Sequence, residues 1–161
     1  MKEPTSLRIF NSLISPTFAS TDPQRNSPTP YMAALEAKLA GNVAFKAGNL
    51  PLALKSYSSA IELDPGVAVY YLNRSAVYLK QQRWSDVEAD TTKAIQLDSK
   101  LLMKASFRRG IARREAGDLD GARGDFHIAL TAGAAPAEVA AELDKIPKVR
   151  LFSQIAFVDL G

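Results

Sequence analysis

The sequence contains no cysteine, which excludes a disulfide framework and any zinc site built on thiolates. It has a single histidine, His127, expected at the surface, and no Ser, Asp or Lys arrangement that would complete a catalytic triad around it. No apolar run approaches the roughly 18 residues of a membrane helix. Met1 to Ala19 lacks a basic stretch followed by a continuous apolar one, so no secretory signal is expected there. The same residues are poor in acid and carry Lys2 and Arg8, which leaves a mitochondrial presequence open beside a plain flexible leader. Charge of one sign is also scarce: 20 basic and 17 acidic residues leave +3, too little to imply nucleic acid. Gly117, Gly121 and Gly124 lie at a helix turn and start, without the strand that a phosphate-binding loop requires. An enzyme, a cofactor and a metal are therefore not expected. The expected location is cytoplasmic, with mitochondrial and nuclear locations left open.

Proline is unevenly spread. Five of the nine prolines fall in residues 1–30, together with five serines and four threonines. Pro16, Pro23, Pro28 and Pro30 break any helix there, and the stretch reads as a disordered or weakly ordered arm. From Tyr31 to Ile146 alanine and leucine rise, and apolar residues recur at three- and four-residue steps, the period of buried helix faces. The length of 161 residues and a hydrophobic content of 47% suffice for one domain with its own core.

The helical region repeats. Gly41, Ser75 and Gly110 are spaced by 34 and 35 residues. Twelve residues after each come Ala53, Val87 and Ala122; sixteen after, Tyr57, Thr91 and Phe126; nineteen after, Ala60, Ala94 and Ala129. Small residues where two antiparallel helices touch, with larger ones between, are what close helix packing requires. Gly48-Asn49, Gln81-Gln82 and Gly117-Asp118 mark the turn inside each unit, and Asp64-Pro65 ends the first. Ala135 to Ile146, with Pro136 in its first turn, reads as a terminal helix covering the last apolar face. Helices are expected near 33–47, 50–63, 67–81, 84–97, 101–116, 119–132 and 135–146. Trp84, Tyr70 and Tyr71 are expected to be packing residues. Residues 148–161 form a tail for which no structure is expected over another.

The polar residues of the first helices form a second pattern. Lys38 and Asn42 are four apart and share a helix face, as do Lys104 and Arg108. Asn73 lies at the matching depth of the middle unit. Asparagine is a poor helix former, so two of them mid-helix on an inner face ask for a functional reason. Cations and amides converging on one wall suit the carboxylate-rich end of an acidic peptide.

The units ALEAKLAGNVAFKAGNLPLALKSYSSAIELDP, AVYYLNRSAVYLKQQRWSDVEADTTKAIQLDS and MKASFRRGIARREAGDLDGARGDFHIALTAG resemble the tetratricopeptide repeat (TPR) family. The resemblance covers about residues 34–146. Ser75 and Val87 stand where the family has glycine and alanine, and the third unit lacks the closing proline. The resemblance implies an all-α, right-handed superhelical solenoid within 31–147, with repeats at about 34–67, 68–101 and 103–134 and a capping helix over 135–146. Within the family the chain is similar to co-chaperones that hold the acidic C-terminus of heat-shock protein 90 or heat-shock protein 70. Their clamp residues match Lys38, Asn42, Asn73, Lys104 and Arg108. By that resemblance Lys38, Asn42 and Asn73 would hold a terminal Asp, Lys104 its side chain, and Arg108 the backbone or a preceding acid. Phe45 and Lys80 are further candidate groove contacts, for an apolar and an acidic side chain respectively.

The expected function is thus a non-enzymatic co-chaperone adaptor, the alternative being an assembly scaffold that uses other surfaces and needs no acidic tail. Lys100, Lys104, Arg108, Arg109, Arg113 and Arg114 make a basic stripe. The 31–147 region nevertheless balances 15 basic against 14 acidic residues, and the stripe has no aromatic stacking platform. Nucleic acid is not expected as a partner. The oligomeric state is open.

Overall fold

The structure, a computed structural model, describes residues 29–147. Of the arm expected over 1–30, residues 1–28 lie outside the described residues, as does the tail expected over 148–161. Among the described residues the chain is all helical: α1 Pro30–Lys46, α2 Leu50–Leu63, α3 Ala68–Lys80, α4 Trp84–Leu97, α5 Leu102–Ala116, α6 Leu119–Thr131 and α7 Pro136–Leu143. No helix among them is long and apolar enough to cross a membrane.

The ends of the helices follow from local chemistry. Thr29 caps α1 by accepting from the Met32 amide at 3.3 Å, and Pro30 stands in its first turn. Pro30 therefore starts a helix instead of breaking one, because the first-turn N–H it lacks has no helical partner anyway. This moves the start of α1 three residues ahead of expectation. Asn49 and Asp118 cap α2 and α6 by accepting from Leu52 and Gly121 amides at 3.1 and 3.0 Å. Gly48 and Gly117 turn the chain with φ of 75° and 90°, and in the middle unit Gln82 takes the same left-handed role with φ 57°. The middle turn falls on Gln81-Gln82, as expected, and Arg83 leads into the next helix. The 35-residue spacing between the second and third units is absorbed by a 3₁₀ turn, Ser99–Leu101, capped by Asp98. The last helix ends at Leu143 and not at Ile146. The chain there tightens through Lys145 and Ile146 amides bonding three residues back, and Pro147 disfavours helix at the residue before it.

Consecutive helices pack as antiparallel pairs, α1 with α2, α3 with α4 and α5 with α6, and α7 covers the end. All nine residues of the repeated small–large register are buried: Ala53, Val87, Ala122, Tyr57, Thr91, Phe126, Ala60, Ala94 and Ala129. Gly41 and Gly110 are needed because a Cβ there would stand 2.6 Å from Tyr57 Cε1 and 2.8 Å from Phe126 Cε1. In the middle unit the partner is the smaller Thr91, and Ser75 fits. Tyr70 and Tyr71 are buried between units, and Trp84 packs with Tyr78, Val87 and Ala112. Val139 and Ile146 close the last face over Ala122 and Phe126.

α1 touches α3, and α3 touches α5, so the first helices of the pairs form one layer. The second helices are tied by a repeated ion pair. Arg74 donates to both Asp90 carboxylate oxygens at 2.8 Å and to Ser58 Oγ at 3.2 Å. Arg109 does the same to Asp125, at 2.9 and 2.6 Å, and to Thr92 Oγ1 at 3.0 Å. Each arginine thereby joins the second helix of its own unit to that of the unit before. Arg113 bonds Glu88 and Asp125, and Arg114 pairs with Glu142 of α7. Three of the six cations of the basic stripe are thus spent on internal pairs.

Candidate functional site

The first-helix layer carries a run of adjoining hollows. One, of about 200 Å³, is lined by Asn42, Phe45 and Lys46 of α1, Tyr57 of α2, Asn73 and Ala76 of α3, and Arg108 of α5. Arg108 also borders the next, of about 280 Å³, with Leu79, Lys104, Phe107 and Ile111. Lys104 and Phe107 continue into a third, which reaches Gly133–Ala135 and Glu138. Shared walls make the three hollows one groove across the pairs.

At its centre the two asparagines meet. Asn73 Nδ2 donates to Asn42 Oδ1 at 3.2 Å, and Tyr57 OH donates to the same oxygen at 2.9 Å. Beside them the Arg108 guanidinium donates through Nη1 to the Leu72 carbonyl and to Ser75 Oγ at 3.0 Å. Ser75 Oγ itself donates to the Leu72 carbonyl at 2.7 Å. The serine that replaces glycine in the middle unit is therefore an acceptor for Arg108. Burial holds Arg108 below the ordinary pKa of a guanidinium. Among the described residues no carboxylate lies within 4.0 Å of Lys38, Lys46, Lys104 or Arg108, in contrast to the paired Arg109, Arg113 and Arg114. A half-buried cation without a counter-ion favours an incoming anion.

The groove collects Asn42, Asn73, Lys104, Arg108 and Phe45 of the sequence candidates. Lys38 is half-buried one helical turn before Asn42 and outside the lining of these three hollows; Lys80 is exposed at the end of α3, also outside them. The sequence reading missed Lys46, Phe107, Ser75 and the hydroxyl of Tyr57. The last two had a signal: a hydroxyl at Ser75 where the other two units have glycine, and at Tyr57 where the third unit has phenylalanine.

No family model matches the chain. The second TPR domain of human RPAP3, solved in complex with the HSP70 peptide SGPTIEEVD, superposes with a TM-score of 0.68 at 38% identity, over 74% of this chain and 98% of that one. The chain belongs to the tetratricopeptide repeat family. The first TPR domain of Spaghetti (RPAP3), bound to the HSP90 peptide SRMEEVD, is similar at 31% identity and TM-score 0.68, over 72% of this chain and 91% of that one. Mouse serine/threonine-protein phosphatase 5 is 41% identical over 95 residues, 59% of this chain. The chain spans only 19% of that relative's length.

Proposed function

We propose that this TPR domain is a co-chaperone adaptor whose groove holds the acidic C-terminal tail of heat-shock protein 90 or heat-shock protein 70. The observation that carries the reading is the convergence of the bonded Asn42–Asn73 pair, Arg108 and Lys104 on one groove, with no carboxylate beside the two cations among the described residues. A peptide ending in Asp offers two carboxylates close together. Amide N–H groups direct them and the cations supply charge-assisted bonds. Lys38 and Lys46 add positive charge on the α1 side, and Phe45 gives an apolar wall for the side chain before the terminal Asp. The similarity to two TPR domains solved with peptides ending Glu-Glu-Val-Asp supports the same ligand class. The activity is binding, with no bond made or broken. Its strength should be about micromolar, near −8 kcal/mol, as suits a partner that must exchange. The proposal includes a cytoplasmic location, which a sequence without cysteine allows.

Calorimetric titration with SRMEEVD and SGPTIEEVD, each as free acid and C-terminal amide, tests the reading. Binding of the free acids alone, lost in Lys104→Ala, supports it. Equal binding of acid and amide, or of neither, removes the groove as the seat of function and leaves the assembly scaffold.

A further inference from the structure

The Asn42 side chain has one oxygen with two acceptor positions and one amino group with two N–H donors. Two donors converge on that oxygen, from Tyr57 OH at 2.9 Å and Asn73 Nδ2 at 3.2 Å. Its acceptor capacity is filled inside the protein. What Asn42 has left for a ligand is its amino group, which makes no bond to the described residues.

The phenol hydroxyl is not needed for packing. Phe126 occupies the same place against Gly110 that Tyr57 occupies against Gly41, and it fills the core of the third unit with no hydroxyl at all. The ring of Tyr57, pressed on Gly41 and 2% exposed, can hardly move, so its oxygen is fixed in place as well. Burial raises the phenol pKa, which keeps the group a donor at any physiological pH.

We propose that Tyr57 is a specificity-determining residue of the groove: by occupying the Asn42 oxygen it makes that amide present donors only, and so selects a terminal carboxylate over a carboxamide. A carboxylate accepts from the free Asn42 N–H groups. A carboxamide brings N–H groups of its own, which the saturated Asn42 oxygen cannot accept. Leaving buried polar groups unpaired is how a site built on hydrogen bonds rejects a near-isostere. Without the hydroxyl one acceptor position opens, and Asn42 can receive an amide N–H. Tyr57 acts here through Asn42, as a positioning residue, and the inference rests on the proposal that the groove binds a peptide C-terminus.

The test measures Kd for SRMEEVD as free acid and as amide with the wild-type chain, Tyr57→Phe and Asn42→Ala, with thermal unfolding of each. Tyr57→Phe is expected to melt cooperatively and to lower the acid-over-amide preference about fivefold, the worth of one hydrogen bond. Asn42→Ala is expected to lower it at least as far. If Tyr57→Phe keeps the wild-type preference, or weakens both forms equally, while Asn42→Ala loses it, Tyr57 only fills the core and the inference is overturned. If the wild-type chain has no preference for the acid, the peptide-binding proposal itself falls, and this inference with it.

Discussion

Arg109 and Asp125, sixteen residues apart, meet through two parallel hydrogen bonds of 2.9 and 2.6 Å, and the Asp125 side chain is 1% exposed. Removing the arginine leaves a buried carboxylate with only Arg113 beside it. Arg109→Ala should therefore destabilise the domain by about 3 kcal/mol in urea unfolding. Asp120→Ala, which breaks the exposed pair with Arg123, should change stability by less than about 1 kcal/mol. Equal losses would mean that burial does not decide the worth of these pairs.

Two glycines offer opposite outcomes for the same substitution. A Cβ on Gly110 would sit 2.8 Å from the Phe126 ring, itself fully buried and unable to yield, so Gly110→Ala should cost about 1–3 kcal/mol. Gly124, in the middle of α6, has nothing within 4 Å, and Gly124→Ala should stabilise by about 0.5–1 kcal/mol. Chemical denaturation of both variants checks the pair.

Gln82 holds φ 57° where the other two turns use glycine. Gln82→Gly relieves a left-handed side-chain residue and should raise stability by about 0.5–1 kcal/mol, after the entropy of glycine in the unfolded chain is counted. A lower thermal midpoint would show that the Gln82 side chain makes a compensating contact.

The buried phenols set an alkaline limit. The pKa of Tyr57 is raised by burial, and that of Tyr70 by burial with the charges of Asp64 and Tyr31. A raised folded pKa means the unfolded chain loses its proton first. The stabilising contribution is full below the ordinary tyrosine value near 10 and is lost as pH rises through the folded value. Unfolding free energy measured from pH 9 upward should fall from about pH 10, by at most about 1.4 kcal/mol per pH unit for each group. Tyr57→Phe should make the fall less steep.

For binding, Lys104→Ala should weaken an acidic peptide about ten- to a hundredfold, the loss of a charge-assisted bond. Wild-type affinity should fall as salt is raised from about 0.05 to 0.5 M, and the variant's less steeply. Calorimetry across a salt series reads both, and an affinity indifferent to salt would count against cations in the groove.

The fold was legible in the sequence because its decisive contacts are local. Gly41 meets Tyr57 and Gly110 meets Phe126 within one helix pair, sixteen residues apart, so a spacing repeated three times announces them. The exception has a local cause too: Pro30 follows a run of helix-breaking prolines, yet a first-turn proline starts a helix. The candidate site was legible as residue types on one face, but its internal bonds were not. Asn42 with Asn73 and Arg108 with Leu72 join different units, 31 and 36 residues apart, and no spacing rule says which donor reaches which acceptor. Tyr57 was recognised by the volume of its ring, which hid the role of its oxygen.

The joints that Arg74 and Arg109 make with Ser58 and Thr92 lie outside the groove lining and bear on the groove all the same. Each ties one helix pair to the next, and the groove wall is shared out among three pairs. The span from Asn42 in the first pair to Lys104 in the third therefore crosses both joints. Substitutions at Ser58 or Thr92, outside the groove lining, would retune the groove's grip by widening or narrowing that span, leaving every ligand-facing side chain as it was.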